Sequence, residues 1–365
     1  MTTTSRRKPR ITITPRQLVT TLLTLFGAFG LYALFNAVIN GQCDAQCVSG
    51  TLNQTVRAAT PIALAAYCGV ICERAGVTNI GIEGMMLMGA LVGYFVDIYA
   101  FVAFKGSGMD PISAGNNARI AGLVCAVLAG GLLAALHAIV SIRFNANQII
   151  SGTVINILSV GLTGYIYRQY LAENVPTGPG TFPPFPIPVL SQIPIIGAIF
   201  FDGQKPIVYI MLLLTVVLHL ILFQTQWGLR VRAVGEHPRA ADTLGINVLR
   251  VRYVNVIVGG LVAGLAGAWF TLEAVDVFNP LMTNGLGFIG LAAMIFGNWA
   301  PLGAFVGALV FGLGSSVQPL LNIFRPDIAS QFPQMLPYVL TMIVLTGVVG
   351  RVTPPAADGE PYEKQ

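Results

Sequence analysis

Long apolar runs alternate with short polar breaks along this chain, and the runs outlast the helices of a soluble core. Ten such runs are predicted, near residues 18–39, 52–72, 85–104, 120–142, 149–167, 207–223, 254–272, 287–296, 302–319 and 335–349. Most reach the roughly 18 apolar residues that mark a helix able to cross a hydrocarbon core of about 30 Å. In lipid every backbone N–H and C=O must find a partner inside the protein, and a helix provides those partners within itself. The expectation is an all-α, polytopic membrane helical bundle of about ten spans. The eighth run is too short to cross alone; it predicts a half-helix, or a span that borrows length from residues 281–285.

Composition sharpens this picture. Charged residues make up only 10% of the 365, against the roughly 25% of an ordinary soluble domain. The 41 glycines suit membrane helices, whose backbones approach closely. Gly259, Gly260, Gly264 and Gly267 in the seventh run, and Gly303 with Gly307 in the ninth, form small-residue faces that predict close crossings. The net charge of +5 does not point to a nucleic acid polymer, because the basic residues are scattered between apolar runs.

Those residues instead set orientation. With ten spans and a cytoplasmic amino terminus, fourteen Lys and Arg fall on inner segments: Arg6, Arg7, Lys8, Arg10, Arg16, Arg74, Arg143, Arg230, Arg232, Arg239, Arg250, Arg252, Arg351 and Lys364. Five fall outside, at Lys105, Arg119, Arg168, Lys205 and Arg325, and only Arg57 lies within a span. This positive-inside bias places both termini in the cytoplasm. The basic start resembles a signal n-region, but its apolar run is long and Asn40-Gly41-Gln42 offers no small-residue cleavage site, so a retained first span is expected. The organisation expected is a basic segment 1–17, a transmembrane domain 18–350 and a cytoplasmic tail 351–365. Cys43 and Cys47 are close enough in sequence to pair in an oxidising compartment, whereas Cys68, Cys72 and Cys125 sit in apolar runs as packing residues.

Two loops are long. The outer one, 168–205, is rich in proline and predicts an ordered extended cover or short interfacial helices. The inner one, 224–252, is strongly basic. Within it Pro238 suits a first helical turn, Arg239, Ala240 and Ala241 continue it, and Gly245 is a natural stop. A short helix with Ala240, Ala241 and Leu244 on one side fits a groove on a partner; the alternative is a basic loop on anionic headgroups.

This loop resembles the cytoplasmic loop of ATP-binding-cassette importer permeases of the branched-chain amino acid, ribose and nucleoside superfamily. Three other segments match in order: Glu73-Arg-Ala-Gly-Val-Thr-Asn-Ile-Gly-Ile-Glu-Gly running on to Ala90, Ala146-Asn-Gln-Ile-Ile-Ser-Gly-Thr-Val-Ile-Asn156, and Gly285-Leu-Gly-Phe-Ile-Gly running on to Gly303. The resemblance runs from about Thr51 to Gly350 and is nearest the nucleoside and simple-sugar branch. It implies a homologous second permease subunit, a cytoplasmic ATPase that holds ATP and Mg, an external solute-binding lipoprotein, and a place in the bacterial inner membrane. It also implies that Gly235, Glu236, Pro238, Arg239, Ala240, Ala241 and Gly245 belong to a coupling helix seated in the ATPase. The chain itself has no G-x-x-x-x-G-K-[ST] phosphate loop and no catalytic or metal constellation, so it is expected to be a transport subunit without a cofactor of its own. The phosphate-loop absence fits a stand-alone secondary transporter equally well.

Polar groups inside a bilayer are costly and mark candidate path residues. Asn79 and Glu83, beside Gly81 and Gly84, sit where a broken backbone presents N–H groups to a solute; for Glu83 the competing account is an interfacial pair with Arg74 or a helix cap. Gln148 and Asn156 are two helical turns apart on one face, and either line a path or hold helices together. Asn279 and Asn284, with Thr283, precede the short eighth run and make a similar case. Arg57 either snorkels to the outer headgroups or pairs with Glu273 or Asp276.

Overall fold

The computed structural model describes residues 45–363 apart from 174, 195, 326, 328, 330, 337, 338 and 340–351. The first and tenth predicted spans, the segment 1–17 and the Cys43–Cys47 pairing therefore lie outside the described residues. Among those described there are helices and no strands. They are α1 (Ala45–Glu73), α2 (Ile82–Gly106), α3 (Pro111–Ala138), α4 (Gln148–Ile166), α5 (Ile196–Phe200), α6 (Pro206–Gln224) and α7 (Gln226–Glu236). There follow α8 (Pro238–Thr243), α9 (Val248–Trp269), α10 (Leu286–Phe296), α11 (Pro301–Phe324) and α12 (Gln331–Gln334). Seven of these, with their π-helical extensions, are long and apolar enough to cross a membrane, and α10 is the short eighth.

Local chemistry sets the ends. Pro111, Pro206, Pro238 and Pro301 each sit in a first turn, where a missing N–H costs nothing. Asp110, Asn147 and Asn247 cap α3, α4 and α9 by accepting backbone N–H groups. Helices α3 and α9 start earlier than the hydrophobic pattern alone indicates, at Pro111 and Val248. That corrects the placement of Arg119 and Arg252: both lie inside helices and are buried, so Arg57 is not alone among basic residues within a span. Arg57 itself donates to Gly203 O at 2.7 Å and Gln204 Oε1 at 3.1 Å in the outer loop, not to Glu273 or Asp276.

The glycine faces bring α9 to the centre. A Cβ on Gly264 would run into the Ala126 carbonyl oxygen and lie 2.9 Å from Val127 Cα of α3, and one on Gly267 would meet the Met86 carbonyl of α2. Gly259 faces Cys72 of α1, and Gly303 of α11 meets Gly297 just past α10. Between lipid-solvated helices packing contact, not hydrophobic exclusion, drives association, and only glycine lets these backbones come so near. The loop at 168–205 takes both predicted forms. It runs extended to a 3-10 turn at Leu190–Gln192 and then α5, tied down where Phe182 N donates to Leu272 O at 2.8 Å and Tyr209 Oη to Phe185 O at 2.7 Å.

Candidate functional site

Arginines gather at one end of the bundle, where α1 finishes, α2 starts and α7 and α8 lie. Arg74 anchors the far side of α10 there, donating to Trp299 O at 2.8 Å and Asn298 O at 3.0 Å. Helix α10 has eleven residues, a rise of about 16 Å, roughly half the length that crossing a hydrocarbon core of about 30 Å takes. The chain reaches that point through a tight turn: Leu281 and Asn284 hold φ of 64° and 44°, and Gly285 one of 80°. Asn298 and Trp299 repeat the left-handed geometry past the other end, both at φ 52°. Non-glycine residues in this region cost energy and cluster where structure is put to use.

Glu83, in the first turn of α2, closes the exposed amino end of α10. One carboxylate oxygen accepts from Gly285 N at 2.8 Å and the other from Gly287 N at 2.7 Å. A Cβ on Gly287 would lie 2.9 Å from Glu83 Cα, so glycine is what allows the two helix starts to touch. An anion at a helix amino terminus meets unpaired N–H donors and the positive end of the dipole, which makes this a charge-assisted clamp. Glu83 thus caps a helix, as one sequence reading has it, though the helix is α10 and not its own, and the same carboxylate also lines the cavity beside it.

Helix α4 holds the other side. Asn156 Oδ1 accepts from Gly84 N at 2.8 Å while its Nδ2 donates to Ile80 O at 3.0 Å, so one amide pins both sides of the break before α2. Gln148 Oε1 accepts from Thr78 N at 2.7 Å, and the Thr78 carbonyl lies 3.2 Å from His137 Nε2 of α3. Asn79 is fully buried, its Oδ1 accepting from Gly81 N at 3.1 Å and its amide nitrogen facing Cys68, Cys72 and Met85 sulfurs. Glu83, Asn156 and Asn284 line one cavity of about 210 Å³, together with Thr283 and the apolar Leu87 and Val160. Asn79, Gln148 and Asn279 do not line it: the first two support the loop 74–81 from behind, and Asn279 is exposed. Thr283, named with Asn279 and Asn284 from the sequence, is buried against the cavity. A polar group passed over in the sequence is Asp97 of α2, 1% exposed with neither oxygen hydrogen-bonded among the described residues. A carboxylate in an apolar run was the available signal for Asp97.

At the basic end, α7 and α8 meet at His237. Thr225 Oγ1 caps α7 by accepting from Gly228 N at 3.2 Å, and α8 ends as Gly245, at φ 80°, donates to Asp242 O at 2.9 Å. Gly235 is buried so closely on the loop after α1 that a Cβ would strike the Arg74 carbonyl. Arg74 and Arg232 both lie over the Phe223 ring, 5.8 and 5.2 Å from its centre, and burial pulls the Arg74 pKa below its ordinary value. Ala241 packs inward while Arg239, Ala240 and Leu244 are exposed, Leu244 by 82%, which splits the apolar side read from the sequence.

Comparison with known proteins places this architecture. Residues 51–348 match the family model described as the permease component of branched-chain amino acid transport systems. The chain is 39% identical to the guanosine ABC transporter permease protein NupQ of Bacillus subtilis, over 87% of this chain and 98% of that protein. It is 34% identical to the nucleoside ABC transporter permease protein NupC of Lactococcus lactis, over 84% and 94%. It is 36% identical to a Haloferax volcanii protein provisionally named a glucose ABC transporter permease, TsgC13, over 83% and 92%. No solved structure matches. Apolar helices, a half-length helix amid polar side chains, and family and relatives that span most of the chain agree: this multi-pass membrane protein belongs to the permease components of branched-chain amino acid transport systems, and is a transport subunit of an ATP-binding-cassette importer.

Proposed function

We propose that this chain forms half of a path for neutral, hydroxyl-rich solutes, nucleosides or simple sugars, and that the cavity at the amino end of α10 is where the solute passes. The observation that carries this reading is the clamped half-helix. Glu83 spends one lone pair of each oxygen on Gly285 and Gly287, and a carboxylate offers about four, so acceptor capacity remains for solute hydroxyls. Its charge is offset by the α10 terminus, and Asn156, Asn284 and Thr283 add uncharged polar groups. Such a lining disfavours a strongly ionic solute. It also accords with the guanosine, nucleoside and glucose in the relatives' names. A volume of about 210 Å³ is below the roughly 300–1,000 Å³ of a complete small-molecule site, which fits a path finished by a homologous second permease subunit.

In this reading about ten spans put both termini and the basic end in the cytoplasm, in accord with the positive-inside bias. The ATPase, carrying ATP and Mg, docks on the exposed Arg239 and Ala240 of α8 and on Leu244 just past it, and an external lipoprotein delivers the solute at the opposite end. Gly235, Glu236, Pro238, Ala241 and Gly245 shape and hold the coupling segment. Movement of α8 passes to the loop 74–81 through Gly235 on Arg74, and from there to Glu83. The test is co-purification and uptake. The complex is expected to retain its ATPase when Arg239→Ala and Leu244→Ala are made singly, while solute uptake per ATP falls about tenfold. Normal uptake in both variants with the ATPase bound would remove α8 from coupling. Uptake by the chain alone, without ATP, would instead establish a stand-alone transporter.

A further inference from the structure

The stretch 352–363 has no part in the cavity, yet it touches separate loops at the basic end. Thr353 N donates to Asn298 Oδ1 at 3.1 Å, past α10. Ala356 N donates to Glu236 Oε2 at 3.2 Å and Ala357 N to Gly235 O at 2.9 Å, both on the last turn of α7. Asp358 Oδ1 accepts from Thr78 Oγ1 at 3.1 Å, and Arg252 Nη1 donates to Glu360 O at 2.8 Å. Ala357 and Tyr362 are buried, and Gly359 makes the turn at φ 77°. Asn145 Nδ2 donates to Glu363 Oε1 at 3.3 Å. A stretch without regular structure frays unless tied down, and this one is tied to five distant segments.

The order of the contacts matters. Gly235 and Glu236 lead directly into α8, and Thr78 stands five residues before Glu83 with its N–H held by Gln148. Two consecutive tail residues, Ala357 and Asp358, bridge these places. Arg252, 2% exposed, backs the bridge, and a Cβ on Gly76 would lie 2.9 Å from its Nη2 and 3.0 Å from Ala357 O. Coupling between sites needs a contiguous element that both can bias.

We propose that segment 352–363 is a positioning element for transport: it clamps the end of α7 to the loop 74–81, so that α8 and the start of α2 move as one body. The proposal rests on the permease reading above. It assigns to Asp358 and Thr78 a role in transmission, without contact to solute or ATPase.

The test uses the complete importer, both permease subunits with ATPase and binding protein, in proteoliposomes supplied with labelled guanosine or glucose. Two quantities are read: ATP hydrolysed per solute taken up, and ATPase retained on the complex. Removing residues 355–365 is expected to raise ATP per solute about tenfold with the ATPase still bound. Asp358→Ala, which loses the acceptor for Thr78, is expected to raise it about threefold, and Asp358→Asn, which keeps an acceptor oxygen, to restore it. An unchanged ratio in both the truncation and Asp358→Ala overturns the clamp alone. So does loss of the ATPase from the truncated complex, which would make the tail a docking element. An unaltered complex with no ATP-dependent uptake overturns the clamp and the permease reading together.

Discussion

Helices α1 and α4 are similarly apolar, yet nearly nine-tenths of the apolar stretch of α1 is buried within the chain and little more than a quarter of that of α4. Hydropathy reports that a segment prefers lipid to water; it says nothing about whether lipid or protein covers it. Small residues make the difference. Around α1 and α9 a Cβ at Gly259, Gly260, Gly264 or Gly290 collides with a neighbouring helix, whereas at Gly161 and Gly164 of α4 nothing lies within 4 Å. The centre is a set of backbone contacts that admits no added atom. Helix α4 touches the rest along one narrow face, through the hydrogen bonds of Gln148 and Asn156, through buried Ile155, Ser159 and Thr163, and through Gly152, where a Cβ would come 2.7 Å from Gly81 N. A sealed centre thus stands beside a hydrogen-bonded edge that can rearrange without losing a packed core.

The largest effect is expected at the centre. Gly264→Val forces atoms against the Ala126 carbonyl and the Val127 backbone, and overpacking of this kind costs about 1–3 kcal/mol, more where two backbones must part. The expected result is near-complete loss of monodisperse protein in detergent on size-exclusion chromatography. Gly161→Ala and Gly164→Ala should leave the yield unchanged. A normal yield from Gly264→Val would dissolve the contrast between the two regions.

Next comes the clamp on α10. Glu83→Ala leaves the N–H groups of Gly285 and Gly287 unpaired at about 1–3 kcal/mol each, so uptake should fall about a hundredfold in folded protein. Glu83→Gln retains one acceptor oxygen and should lose about tenfold. If both variants transport normally, the α10 terminus is scaffolding and not path. Asn156→Leu removes the acceptor for Gly84 N and the donor to Ile80 O from a similar volume. Uptake by that variant should drop about fivefold with little change in yield.

The same contrast explains what was legible beforehand. The run at 287–296 and the helix Leu286–Phe296 differ by one residue, because glycine marks both of its ends and the interior is unbroken. The glycines of α9 foretold close crossings because a missing side chain has one structural use, close approach. Polar residues have several. Asn79, Gln148 and Asn156 all announce that a hydrogen bond is needed inside the bundle. Only coordinates reveal that Asn79 and Gln148 meet backbone N–H groups behind the cavity while Asn156 also lines it. Glu83 was singled out for the glycines around it, but its partners lie some two hundred residues on, beyond any local signal. The tail was least legible. Its short polar sequence has no periodicity, and its order comes from loops scattered along the chain.

The effect least felt in transport concerns that tail and its pH dependence. Burial raises the Asp358 carboxyl to about 6, opposed by the Thr78 hydroxyl, by a hydrogen bond shared with the neighbouring Glu73 carboxyl, by the Gly359 N–H and by the Arg252 charge. In a detached tail the same group returns to the ordinary value of 3.8. The docked tail therefore holds a proton that the free tail releases between these values. Docking is then firmest below the ordinary pKa and weakens as pH rises through about 6, the sign opposite to that of a salt-bridged carboxylate. Amide hydrogen exchange at Ala357, whose N–H is held by Gly235 O, reads the docking directly. Corrected for intrinsic rates, its protection should fall about tenfold between pH 4 and 7.5, the full shift being reduced by solvent screening. Asp358→Asn should flatten that dependence while keeping the bond to Thr78. Protection that rises with pH, or an unchanged slope in the asparagine variant, would mean that the carboxylate is held as an anion by Arg252. The edge of the molecule would then be pinned by charge, not by the burial that holds its centre.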